Sequence, residues 1–205
     1  MCGIVGQFTF KNEARDRTAL FSQLTHLMER RGPDNTSIWS DKTHCTLGFC
    51  RLSILDLSPK GNQPKFTEDG RFCLIINGEI YNFHELRLEL ENKGYHFNSS
   101  GDAEVALYSF VEWGKSALDR FNGMFALAFY DSIEKRLLLA RDHVGSKPLY
   151  YLRNQEGLVF GSQYDQIMAH PWAHGLSINQ GALSLYMRFG YIPAPYAILE
   201  NTFML

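Results

Sequence analysis

The sequence lacks several features that mark common functional classes. Its 20 Lys and Arg against 22 Asp and Glu leave a net charge of −2 and no basic stripe, so nucleic acid is not expected as a partner. No apolar run approaches the roughly 20 residues that a helix needs to cross a bilayer, so no membrane association is expected. The N-terminal residues show neither a basic leader nor a cleavage pattern, which argues against a secretory signal.

Cysteine is scarce, and metal-ligand patterns are missing. Cys2, Cys45, Cys50 and Cys73 form no CxxC pair and no disulfide-dense framework, which predicts a reducing, cytoplasmic environment. The last three are interpreted as small buried apolar residues. The seven histidines form no HExxH motif and no Cys/His cluster with ligand spacing, so no metal site is expected.

What the chain has is a series of short apolar runs over 205 residues, of which 45% are hydrophobic. Strands are predicted at 3–10, 36–40, 46–54, 72–77, 124–130, 136–141, 149–152 and 158–160, and helices at 16–30, 83–93, 103–113 and 179–189. Alternating βαβ units are absent, which disfavours a doubly wound parallel sheet. The pattern instead predicts an α+β fold in which helices lie outside antiparallel sheets.

Cys2 follows the initiator Met and precedes Gly3 and an apolar run. Removal of Met1 would leave a thiol beside its own α-amine. The α-amine titrates near 7.7–8.0 and the thiol near 8.5, so the amine is suited to act as general base for the thiol, directly or through a water. Cys2 is therefore a candidate nucleophile at the start of a buried strand.

Three further positions carry candidate functional groups. Asn77-Gly78 is predicted to end a buried strand, where an amide and an unhindered N–H could face a developing oxyanion. Arg51 interrupts an apolar strand, and its forked guanidinium matches a carboxylate. Asp102 could hold an ammonium group. Each has an ordinary alternative: a tight turn for Asn77-Gly78, an internal ion pair for Arg51 and a helix N-cap for Asp102.

Taken together, these residues resemble the N-terminal-nucleophile glutamine amidotransferases, and most closely the glutaminase domain of glutamine-hydrolysing asparagine synthetase. The resemblance spans nearly the whole chain, with its motifs in order. The matching pieces are Met1-Cys2-Gly3-Ile4-Val5-Gly6, Arg31-Gly32-Pro33-Asp34, Arg51-Leu52-Ser53-Ile54, Gln63-Pro64, Asn77-Gly78-Glu79-Ile80-Tyr81-Asn82, Gly101-Asp102-Ala103-Glu104-Val105, Phe121-Asn122-Gly123-Met124-Phe125-Ala126 and Ala140-Arg141-Asp142-His143-Val144-Gly145-Ser146-Lys147-Pro148.

The resemblance implies a four-layer αββα sandwich of two antiparallel sheets between helices. It implies that Cys2 attacks the side-chain amide of L-glutamine, with Asn77 and the Gly78 N–H stabilising the oxyanion. Arg51 would bind the α-carboxylate and Asp102 the α-ammonium. The pocket would be lined by Arg51, Leu52, Ser53, Ile54, Leu55, Asn77, Gly78 and Glu79. The segment 31–34 is expected to shape the neighbouring loop.

The resemblance also predicts the domain organisation. Residues 1–175 would form the glutaminase domain, and residues 176–205 would begin a truncated C-terminal synthetase domain. The family's ATP-binding Ser-Gly-Gly-x-Asp-Ser loop is absent, so no cofactor is expected in this stretch. ATP and Mg²⁺ are expected in the synthetase domain, which would be the partner within the same full-length chain. A homodimer is a further expectation.

Several functions remain open at this point. The ammonia could serve the ATP-dependent amidation of aspartate to asparagine, or that of a sugar carboxylate in surface-polysaccharide synthesis. The fold could instead form a non-catalytic glutamine-binding module. A different N-terminal-nucleophile amide hydrolase would not need both Arg51 and Asp102 as charge clamps.

Overall fold

The computed structural model describes residues 1–13 and 15–205, and within these it contains ten strands and five α-helices. The strands are β1 (Gly3–Thr9), β2 (Asn35–Ser40), β3 (Cys45–Arg51), β4 (Lys65–Phe66), β5 (Phe72–Ile80), β6 (Gly123–Asp131), β7 (Arg136–Arg141), β8 (Tyr150–Arg153), β9 (Gly157–Gly161) and β10 (Thr202–Met204). The helices are α1 (Thr18–His26), α2 (Phe83–Asn92), α3 (Asp102–Trp113), α4 (Tyr164–Ala169) and α5 (Gln180–Phe189). None of these helices is long and apolar enough to span a bilayer.

Two antiparallel sheets pack face to face. The first has the order β10-β8-β9-β1-β3-β2 and the second the order β4-β5-β6-β7. Their facing sides share a core that includes Ile4, Phe49, Ile75 and Phe160, since side chains alternate between the two faces of each strand.

Helices cover the outer side of each sheet. Phe21 and Leu24 of α1 pack on the first sheet, where α4 also lies against β8 and β9. The helices α2 and α3 pack on the second sheet through residues such as Leu86 and Val105. The predicted four-layer αββα sandwich is confirmed. Cys45, Cys50 and Cys73 are free and buried in it, as predicted.

Two strands end at residues other than those predicted from the sequence. The strand predicted at 46–54 stops at Arg51, because its neighbour β2 begins at Asn35, which pairs with Arg51. Ser53 instead donates its N–H to Asp34 Oδ2 at 2.6 Å. The strand predicted at 72–77 continues to Ile80, because β6 pairs with it along its full length. The interpretation of Asn77-Gly78 as a strand end was therefore wrong, and so was the alternative of a tight turn.

The C-terminal residues take part in the first sheet. Thr202, Phe203 and Met204 pair with β8, and Leu205 donates its N–H to the Leu149 carbonyl at 2.9 Å. The predicted domain boundary at 175 stays a prediction. Part of the segment after residue 175, the strand β10, forms one edge of the first sheet, which also contains β1.

Candidate active site

A cleft of about 110 Å³ opens where the N-terminus, the end of β3 and the second half of β5 meet. It gathers side chains that are far apart in sequence and that come from both sheets. Every site residue predicted from the sequence lines it except Ser53: Cys2, Arg51, Leu52, Ile54, Leu55, Asn77, Gly78, Glu79 and Asp102. Ser53 lies in the same loop, where its backbone is held by Asp34.

The half-buried Cys2 thiol is held close to the backbone just after β3. The Leu52 N–H donates to Cys2 Sγ at 3.4 Å, and Sγ lies 3.6 Å from the Leu52 carbonyl oxygen. Arg31 Nε donates to the Cys2 carbonyl at 3.0 Å and so fixes the start of β1. Burial raises the pKa of the Cys2 thiol, whereas the Leu52 N–H and the N-terminal charge oppose that rise.

Asn77 presents an amide that nothing in the described structure satisfies. The residue is 1% exposed, and neither Oδ1 nor Nδ2 has a hydrogen-bond partner among residues 1–13 and 15–205. A buried polar group without a partner destabilises a fold by about 1–3 kcal/mol. Asn77 also lines the cleft, so its buried amide lies beside the space that a bound molecule would occupy.

Gly78 offers a backbone donor beside that amide. In an antiparallel strand, the N–H groups of alternate residues face the same edge. Ile76 donates its N–H to Gln63 Oε1 at 2.7 Å, and Ile80 donates its N–H to Asp102 Oδ2 at 2.9 Å. The Gly78 N–H lies between them on the edge away from β6, where, among the residues that the structure describes, β4 pairs only with Cys73 and Leu74. That N–H therefore faces the cleft.

Only glycine fits at position 78. Its φ is +156°, and an added Cβ would lie 2.1 Å from the Met124 carbonyl oxygen. A side chain here would push β5 away from β6, so the close approach of two backbones requires a glycine.

Arg51 is buried at the end of β3 and is oriented by backbone groups. Its Nη1 donates to the Ser58 carbonyl and to Asn62 Oδ1, both at 2.8 Å, and its Nη2 donates to the Asp56 carbonyl. No ion pair involving Arg51 is found in the described part of the chain, so the alternative of an internal carboxylate partner was wrong. Nε and one N–H of Nη2 remain to donate.

Asp102 faces the cleft from the first turn of α3. Gly101 holds the N-cap position, so the alternative that Asp102 is the N-cap was wrong. Asp102 Oδ2 accepts from Ile80 in β5 and thereby ties α3 to the cleft wall. Burial raises the pKa of Asp102, and the nearby Glu79 carboxylate adds to the rise. A cationic group bound here would reverse that effect.

The loop after β3 is shaped by residues of the matching motifs to which the sequence assigned no chemical role. Asp34 accepts from Ser53, in agreement with the expectation that 31–34 shapes this loop. The Gln63 amide hydrogen-bonds both backbone groups of Ile76: its Nε2 donates to the Ile76 carbonyl, and its Oε1 accepts from the Ile76 N–H. Lys65 and Lys147 also line the cleft and were not predicted, since a lone Lys carries no spacing signal.

The chain is similar to known proteins over most of its length. The family model described as "Glutamine amidotransferase domain" matches residues 1–205. The chain is 39% identical over 197 residues to asparagine synthetase [glutamine-hydrolyzing] 1 of Bacillus subtilis, covering 95% of this chain and 30% of that protein. It is 38% identical over 160 residues to asparagine synthetase B of Escherichia coli, covering 78% of this chain and 28% of that protein.

The fold has relatives among solved structures as well. The glutamine phosphoribosylpyrophosphate amidotransferase from B. subtilis superposes with a TM-score of 0.63 at 18% identity, over 82% of this chain and 43% of that one. The chain thus spans less than half the length of these relatives. With a family match over its whole length, this chain belongs to the glutamine amidotransferase domain family, of the type found in glutamine-hydrolysing asparagine synthetases.

Proposed function

We propose that the cleft hydrolyses L-glutamine to glutamate and ammonia with Cys2 as the nucleophile. The ammonia then serves the ATP-dependent amidation of aspartate to asparagine in a synthetase domain of a longer protein. The relatives' length and names support this assignment of the acceptor. ATP and Mg²⁺ bind in that second domain under this proposal.

The reaction begins once Met1 has been removed. The α-amine of Cys2 accepts the thiol proton, and Sγ attacks the side-chain amide carbon of glutamine. The tetrahedral oxyanion receives hydrogen bonds from Asn77 Nδ2 and the Gly78 N–H, both on the cleft wall. The intermediate collapses to a γ-glutamyl thioester as the nitrogen leaves with a proton as ammonia. Water then attacks the thioester, which releases glutamate and restores the thiol.

Recognition of glutamine uses two opposite charges. Arg51 donates from Nε and Nη2 to the α-carboxylate, while its three bonds to Ser58, Asn62 and Asp56 hold the guanidinium in place. Asp102 accepts from the α-ammonium. The surrounding segments, from Leu52 to Leu55 and from Asn77 to Glu79, enclose the rest of the substrate.

The observation that carries this proposal is the unpartnered amide of Asn77. An asparagine side chain at 1% exposure without a hydrogen bond is costly unless a ligand satisfies it during function. A non-catalytic glutamine-binding module would need the charge clamps, but not a donor pair beside a thiol. This argument favours catalysis over binding alone.

The test is a glutaminase assay on protein from which Met1 has been removed, as verified by mass spectrometry. Glutamate release is expected from this protein and is expected to be absent in Cys2→Ala and in protein that retains Met1. The half-buried thiol lines the cleft at the edge of the core, so its removal should lower the thermal midpoint only slightly. Turnover near the parent rate in Cys2→Ala would refute the assignment of the nucleophile.

The acceptor requires the longer protein. With aspartate, ATP and glutamine present, asparagine is the expected product. If a sugar carboxylate is amidated instead, the glutaminase proposal stands and the choice of acceptor is wrong.

A further inference from the structure

Lys147 lies in a loop whose backbone is clamped from two sides. Asp142 Oδ2 accepts from the Lys147 N–H at 3.3 Å, and Arg141 Nε donates to the Lys147 carbonyl at 2.5 Å. Asp142 also accepts from the N–H groups of Val144 and Ser146 through Oδ1. These contacts hold the loop between β7 and β8. The proposed reaction assigns no role to the motif that forms this loop.

The loop delivers the Lys147 side chain to the reactive end of the cleft. Lys147 is 6% exposed, and its Nζ lies 3.1 Å from the Met1 sulfur. No carboxylate forms an ion pair with Lys147 in the described part of the chain. A buried ammonium without an anionic partner is unfavourable, which calls for a compensating function.

Removal of Met1 takes away the sulfur that Lys147 contacts and creates the Cys2 α-amine nearby. Lys147 Nζ contacts the sulfur of Met1, the residue whose carbonyl carbon is bonded to the Cys2 nitrogen in the unprocessed chain. We propose that Lys147 is a positioning residue for the general base, and that its ammonium favours the neutral, proton-accepting form of the Cys2 α-amine. This inference rests on the proposed glutaminase function.

Other charged groups surround the same end of the cleft. Arg31 holds the Cys2 carbonyl, and the remaining charges on the cleft wall are those of Arg51, Asp56, Lys65, Glu79 and Asp102. Asp56 is engaged by Ser58 and Ser100, and Asp102 by Ile80. Arg31 is thus a second cation beside the Cys2 backbone, whereas Lys147 is the cation that contacts Met1, the residue whose removal exposes the α-amine.

The physical effect follows from repulsion between like charges. An α-amine titrates near 7.7–8.0, so at neutral pH only a minority is in the form that accepts the thiol proton. A neighbouring cation disfavours the protonated amine and enlarges that minority. Loss of the cation would reduce kcat/KM about three- to tenfold at pH values on the acid limb of the profile, below the pKa of the α-amine. Well above that pKa, kcat/KM would not change.

The experiment compares the pH dependence of kcat/KM in Met1-free parent protein with that in Lys147→Met, Lys147→Gln and Lys147→Arg. Both neutral variants are expected to move the acid limb to higher pH by about half to one unit, whereas Lys147→Arg should keep it in place. The use of two neutral variants covers the failure of either one to fold.

A second measurement does not depend on turnover. In a Cys2→Ala background, which keeps the α-amine, its pKa is read from the pH dependence of labelling by an amine-reactive reagent. The pKa should rise when Lys147→Met is added. An unchanged acid limb and α-amine pKa in the neutral variants, or an equal shift in Lys147→Arg, would overturn the role of Lys147. A parent protein without glutaminase activity would instead refute the proposed function, while the labelling result still decides the effect of Lys147.

Discussion

At the scale of single residues, a substitution of Asn77 is expected to lower glutaminase activity without lowering the stability of the fold. Asn77→Leu keeps the branched shape of the side chain and removes an amide that has no partner in the described structure. Since loss of one oxyanion donor lowers kcat by about 10²–10³ in other enzymes, a comparable loss is expected here. The free energy of unfolding should be equal to or higher than that of the parent, because a buried unsatisfied group is gone. Urea denaturation and a glutaminase assay measure the two effects. A variant that loses stability and keeps activity would contradict the assignment.

Asp102 has both a structural and a recognition role, and a conservative substitution distinguishes them. Asp102→Asn keeps an oxygen that can accept from Ile80, so α3 should stay in place. It removes the charge proposed to bind the α-ammonium, which should weaken glutamine binding about ten- to a hundredfold.

The control for that prediction is a glutamine analogue without the α-amine. This analogue should bind much more weakly than glutamine to the parent protein and about equally with glutamine to Asp102→Asn, as judged by KM and inhibition constants. If the variant still discriminates fully between the two, the ammonium is bound elsewhere.

At the scale of elements, β5 depends on Gly78. Gly78→Ala places a Cβ 2.1 Å from the Met124 carbonyl oxygen, so β5 and β6 must separate. The expected cost is about 1–3 kcal/mol of stability, together with loss of glutaminase activity. Gly70→Ala is a matched control, because Gly70 also has a positive φ, of +69°, but nothing lies within 4 Å of its Cβ. Equal thermal shifts in the two variants would show that backbone conformation alone, and not the close approach, explains the glycine.

Elements with a strong apolar pattern could be predicted from the sequence, whereas the short ones could not. The strands β1 and β7 and the helix α2 lie within a residue of their predicted bounds, because each has its own periodicity. The elements β4, α4 and β10 were missed. Each has six residues or fewer. The strands β4 and β10 each pair with a longer strand, β5 and β8, and the helix α4 packs on β8 and β9.

The site was predicted piece by piece, and only the fold could show how the pieces meet. Arg51 in an apolar strand and Cys2 after Met1 stand out in the sequence, because their residue types conflict with their surroundings. The carbonyl groups that orient Arg51 and the gap in strand pairing beside Gly78 carry no sequence signal, since they are backbone groups. Lys147 was visible within a quoted motif, but its approach to Met1 depends on the loop clamped by Asp142.

At the scale of the whole molecule, the first sheet and the α4 region are joined by a buried histidine. His170 is 1% exposed, its Nε2 lies 3.2 Å from Gln7 Oε1 in β1, and its Nδ1 accepts from the Trp172 N–H at 3.1 Å. Burial lowers the pKa of His170 from 6.5 to about 4, and the charge of Arg17 adds to that effect. The folded protein therefore holds this histidine neutral, whereas the unfolded chain protonates it near pH 6.5.

That difference predicts how stability changes with pH. Below pH 6.5 the unfolded state binds a proton that the folded state does not, so the contribution of His170 is complete above pH 6.5 and is lost as the pH falls towards 4. At about 1.4 kcal/mol per pKa unit, the loss amounts to about 3 kcal/mol. His170→Asn keeps an acceptor for Trp172 and cannot titrate in this range. Urea denaturation at several pH values between 4 and 7 should therefore give a shallower decline in the variant than in the parent. Carboxylates contribute to both slopes and cancel in the comparison, so identical slopes would mean that His170 is protonated in the folded state as readily as in the unfolded chain.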